Sequence, residues 1–62
     1  MGYYEDLLCL VNHRVTIHSN RTAYHVLISQ ICPNYIRAIE LSTGNIKFFN
    51  FEMIDFIEES LV

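Results

Sequence analysis

The spacing of apolar residues changes near residue 14, and the change divides the chain. Before it, Tyr4, Leu7, Leu8 and Val11 recur at i, i+3, i+4 and i+7, which is one face of a helix. Glu5 and Asp6 fall in the first turn, where carboxylates complement the helix dipole. The pattern predicts a short helix over about residues 3–12, with Asn12 at its end. So short a helix is marginal alone and has to pack on something.

From Arg14 onward the period is two. Arg14-Val15-Thr16-Ile17-His18 alternates, with Val15 and Ile17 on one face. Ser19-Asn20-Arg21-Thr22 is a polar turn. A second strand follows over Ala23–Ile31, with Tyr24, Val26 and Ile28 facing inward. Pro33-Asn34 interrupts the chain, since proline suits a turn and not a central strand. Residues 35–41 form a third strand. Ser42-Thr43-Gly44-Asn45 is the clearest hairpin turn, because glycine tolerates positive φ. Ile46–Asn50 is a fourth strand and Met53–Glu58 a fifth, with the tail 59–62 loose. Ile17, Val26, Ile28, Ile36 and Ile54 are the expected core.

A short N-terminal helix followed by five strands joined by tight turns describes a mainly β chain closed into a small five-stranded barrel. Closure would remove the edges that an apolar β sequence otherwise exposes. At 62 residues the chain is one domain, 1–62. Hydrophobic types make up 52% of it and charged types 18%, which excludes disorder. No apolar run approaches the ~18 residues of a membrane span. The first six residues lack a basic start and a long apolar stretch, so no signal peptide is expected.

Four Lys+Arg stand against seven Asp+Glu, a net charge of −3. Affinity for a phosphate backbone comes mainly from Lys and Arg. Arg14, Arg21, Arg37 and Lys47 are scattered along the chain, so tight nucleic-acid binding by a single copy is not expected. A symmetric ring could still gather one basic residue from each subunit.

The order of elements over about residues 4–58 resembles the Sm-like fold of Sm, Lsm and Hfq proteins. Val26, Ile28 and Ile31 match the spacing of the first Sm motif, with Val26 in the place usually held by glycine. Residues 48–57 match the apolar places of the second motif, but Asn50-Phe51 stands where that motif has Arg-Gly. Leu8-Cys9-Leu10-Val11-Asn12-His13-Arg14-Val15-Thr16-Ile17 and Asn34-Tyr35-Ile36 resemble the pattern of small uncharacterised Sm-like proteins of spore-forming bacteria. The resemblance implies a cytoplasmic, spore-associated setting and assembly into an oligomer. Other SH3-like or OB-like barrels would fit the same strand pattern.

Candidate chemistry is sparse. With Asn20-Arg21 at the centre of the first turn, His18 faces Ala23 and His25 faces Thr16, so the two imidazoles are diagonal neighbours. A surface metal could use both, but a structural site wants four ligands. No metal or cofactor is therefore expected. His13 is read as capping or packing the helix end. Cys9 and Cys32 read as small buried hydrophobes. No histidine is ordered against either thiol, so no catalytic residue is assigned and the chain reads as non-enzymatic. The cluster Asp55, Glu58 and Glu59 reads as a solvated face.

The aromatics say more. Consecutive Phe48 and Phe49 must point to opposite faces of a strand, and only one can enter a small core. Phe48, Phe49, Phe51 and Met53 are thus the candidate interface for a second copy or another protein. The first expectation is a homo-oligomeric structural or protein-interaction module. The alternative is an RNA- or DNA-binding ring, with contacts from Arg37, Lys47 and Asn50. A further alternative is a small inhibitor or adaptor that binds an enzyme.

Overall fold

Alternation in the second half of the chain becomes one antiparallel sheet. The computed structural model describes residues 3–59. Helix α1 spans Tyr3–Leu8. Strands β1 (Arg14–Ser19), β2 (Thr22–Ile31), β3 (Tyr35–Glu40), β4 (Ile46–Asn50) and β5 (Phe56–Glu59) follow, with a 3-10 turn at Phe51–Met53. The strand order is β4-β3-β2-β1-β5. The expected closed barrel is here an open sheet: β4 and β5 are its edges, with no ladder joining them among the described residues.

The helical region departs from expectation at its end. After Leu8 the chain tightens into i→i−3 bonds, Cys9 N–H to Asp6 O (3.2 Å), Leu10 to Leu7 (2.9 Å) and Val11 to Leu8 (3.3 Å). The tightening leaves Leu8 exposed, although its spacing placed it on the packed face, and Leu10 packs against the core instead. Tyr4's side chain lies outside the described residues. Asn12, at φ 71°, ends the turn. Asn12 N–H donates to Ile28 O (2.7 Å) and His13 O accepts from Ile28 N–H (3.1 Å). Two residues set against one in this way form a bulge where β1 begins.

Core positions follow the period-two reading. Val15, Ile17, Val26, Ile28, Ile36 and Ala38 are buried, joined by Ile31, Phe49 and Leu7 of α1. Ile54, expected in the core, is half-buried at its margin. The described residues form one sheet, which must coil around its own apolar face to cover it. The ten-residue β2 bends for this purpose at a register irregularity between Ile28 and Gln30. Ser29 sits at the irregularity. Its hydroxyl donates to Arg37 O (3.0 Å) and accepts from Arg37 Nη1 (3.0 Å).

The fifth strand begins at Phe56, three residues later than expected. Asn50 explains the delay. Its Oδ1 accepts Glu52 N–H (3.0 Å), an N-cap that turns Phe51–Met53 into 3-10 helix, and Ile54 N–H then bonds Phe51 O (3.2 Å). The Ser19 hydroxyl donates to Met53 O and ties this turn to the end of β1. Glu59, expected to start a loose tail, is the last residue of β5, and residues 60–62 lie outside the described residues.

Candidate interaction surface

β4 gives the molecule an unusual edge. Its register against β3 pairs Tyr35 with Asn50, Ile36 with Phe49, Arg37 with Phe48, Ala38 with Lys47 and Ile39 with Ile46. Bonds from Glu40 N–H to Asn45 O (2.8 Å) and from Phe51 N–H to Asn34 O (3.1 Å) mark the two ends of this ladder. Antiparallel pairs alternate, so Lys47 and Phe49 turn their backbone groups toward β3. Ile46, Phe48 and Asn50 turn theirs to the free edge.

The side chains of those same residues are exposed. Phe48 is 64% exposed and Ile46 49%. Tyr35 lies beside Phe48, ring centroids 5.9 Å apart and edge-on. Met53, 61% exposed, projects from the 3-10 turn nearby. The result is a free strand edge flanked by large apolar groups, the combination that invites another chain.

An open groove of about 360 Å³ runs along this edge, lined by Ser19, Tyr24, Lys47, Phe48, Phe49, Asn50 and Met53. Tyr24 and Phe49 meet edge-on in its wall, centroids 5.2 Å apart. Lys47 Nζ lies 6.0 Å from the Tyr24 ring centroid and 3.6 Å from Glu40 Oε1.

The sequence candidates separate here. Phe48 and Met53 are on the surface, whereas Phe49, 8% exposed, belongs to the core and only borders the groove. Phe51 is half-buried and packs on the core margin. Phe49 and Phe51 are therefore structural first. Arg37 and Lys47 do not converge. Arg37 shares the outer face with Phe48 and has its guanidinium turned to Ser29, while Lys47 sits on the inner face opposite Ala38. Asn50 uses its Oδ1 to cap the 3-10 turn, which leaves its amide N–H groups for the groove.

The first hairpin has the register read from the sequence, His18 opposite Ala23 and Thr16 opposite His25. The two imidazoles nevertheless take separate partners. His25 Nδ1 hydrogen-bonds with Thr16 Oγ1 (3.0 Å), and His18 Nε2 donates to Glu58 Oε1 (2.8 Å). No group of three or more metal-ligating side chains occurs among the described residues. Cys32 is half-buried, but Cys9 is exposed, because the chain leaves the helix one residue before it. A hydrogen bond with the Cys32 thiol pushes the Tyr35 phenol above its usual range. No helix among the described residues is long and apolar enough to cross a membrane.

Comparison with protein-family models, curated proteins and solved structures finds no match for this chain.

Proposed function

We propose that this chain is a non-enzymatic structural or protein-interaction module that assembles with copies of itself through the β4 edge. The observation that carries the reading is Phe48. Its ring is 64% exposed on an edge strand, beside Tyr35, Ile46 and Met53. A stable interface takes about 800 Å² from each partner. The whole surface here is 4457 Å², so such an interface would cover roughly a fifth of it. The β4 edge with its apolar flank is the surface suited to that load.

The Sm-like reading belongs to this proposal. It is supported by the order of elements, a short helix and then five strands with a turn between the fourth and fifth. In the proposed assembly a second copy covers the β4 edge, so the sheet completes its pairing between chains. The proposed setting is the cytoplasm, with a spore-associated role following from the resemblance.

Light scattering across a dilution series tests the proposal. The expected mass at micromolar concentration is a multiple of 7.3 kDa, falling toward one chain on Phe48→Lys. A mass of 7.3 kDa at every concentration would overturn it.

A further inference from the structure

The free edge of β4 matches itself. Its outward-bonding residues Ile46, Phe48 and Asn50 recur at a spacing of two, with Phe48 at the centre. None of them is charged. The one charge of the strand, Lys47, lies on the inner face, 3.6 Å from Glu40 Oε1. The other edge of the sheet differs. β5 has four residues, among them Glu58 and Glu59, and Asp55 comes just before it. Charges on an edge strand discourage pairing. Glu58 stands on the outer face, since its neighbour Ile57 packs against the core.

We propose that two copies of the chain join β4 to β4 about a two-fold axis through Phe48, making one continuous antiparallel sheet. This rests on the self-assembly reading above and fixes its partner segment, its register and its closure. In an antiparallel ladder, opposed residues of a hydrogen-bonded pair exchange both their bonds. With Phe48 opposite Phe48 of the partner subunit, Ile46 falls opposite Asn50 of the partner subunit, and Asn50 opposite Ile46 of the partner subunit. The outward backbone groups of all these residues are then satisfied. A slip of one residue would aim them at Lys47 and Phe49, whose groups are turned to β3. A slip of two would leave an end residue of each strand unpaired.

The same register sets apolar against apolar on the outer face. The two Phe48 rings meet across the axis, each edge-on to its own Tyr35 at 5.9 Å between centroids. Ile46, 49% exposed, is covered by the partner's strand. Aromatic cross-strand pairs and apolar burial both favour the pairing. Joining β4 head to tail to a partner's β5 would instead bring the Glu58 carboxylate beside this apolar flank. The two arrangements also close differently. A two-fold contact ends at two copies, whereas a head-to-tail contact continues to a ring or a filament.

Charge exchange at the axis tests the arrangement. Phe48 is exposed, so its replacement leaves the core intact. Phe48→Lys and Phe48→Glu each set like charges opposite each other and should weaken association by about 10-fold or more. An equimolar mixture of the two should recover a mass of twice 7.3 kDa by light scattering, because lysine then faces glutamate. A residue that opposes itself across a two-fold axis gives this rescue. In the unmodified chain, isotope-filtered NOE spectra of mixed labelled and unlabelled protein should link Lys47 Hα to Phe49 Hα of the partner subunit. That non-hydrogen-bonded pair brings its Cα atoms to about 4.5 Å. A mass of one chain at every concentration would overturn the self-assembly reading and this arrangement with it. A mass of three chains or more, NOEs from β4 to the partner's β5, or a mixture as weak as its components would overturn the two-fold arrangement alone.

Discussion

Phe48 and Phe49 are consecutive in β4, yet one is 64% exposed and the other 8%. Strand geometry sends them to opposite faces, and only the inner face has a core to receive a ring. Substitution should separate the two. Phe49→Ala should cost about 3–5 kcal/mol, enough to unfold a core of this size. Phe48→Ser should leave the melting temperature of the isolated chain nearly unchanged and weaken self-association. Circular dichroism melts beside light scattering read both effects. Equal loss of stability from the two variants would contradict the face assignment.

The turn between β1 and β2 places Asn20 at φ 52° and Arg21 at φ 66°. A two-residue hairpin of this kind needs positive φ at both central positions, and asparagine then glycine suits it best. Arginine there carries left-handed strain of about 1 kcal/mol. Arg21→Gly should therefore raise stability by roughly 0.5–1 kcal/mol, or a few degrees in Tm. A lower Tm would mean that the arginine side chain makes a contact worth more than the strain.

Ile28 is fully buried beside the bend in β2. Ile28→Ala should cost about 2–5 kcal/mol and Ile28→Val about 0.5–1.5 kcal/mol. Urea denaturation of the valine variant gives a measurable midpoint shift even if the alanine variant does not fold. An Ile28→Ala chain with an unchanged midpoint would invert the core assignment.

Nucleic-acid binding should be weak. Arg37 is turned to Ser29, and Lys47 lies on the other face within 3.6 Å of Glu40. Binding to short A-rich or U-rich RNA should be no tighter than roughly 10⁻⁵ M at physiological salt. Fluorescence anisotropy decides the matter. Sub-micromolar binding that weakens steeply with salt and is lost on Lys47→Ala would favour an RNA-binding ring instead.

Much of this molecule was determined by the sequence alone. Alternation over 14–18, 23–31 and 35–41 identified three strands and the inward set Ile17, Val26, Ile28 and Ile36, because side-chain direction in a strand is a local property with period two. The Asn20-Arg21 turn fixed the first hairpin's register for the same local reason. Other features required the tertiary structure. Leu8 could not be recognised as exposed, since the helix gives way after Leu8 to a tight turn that leads Asn12 and His13 to Ile28, a partner distant in sequence. The late start of β5 depended on Asn50 capping the following turn and on Ser19 holding Met53 O. Periodicity cannot say which strands lie at the edges. That is decided by which strands' backbone groups find partners, and it leaves β4, with its apolar flank, and β5 as the two edges of the sheet. The pairing of His13 with Glu59 and His18 with Glu58 spans 46 and 40 residues, so only folding brings those groups together.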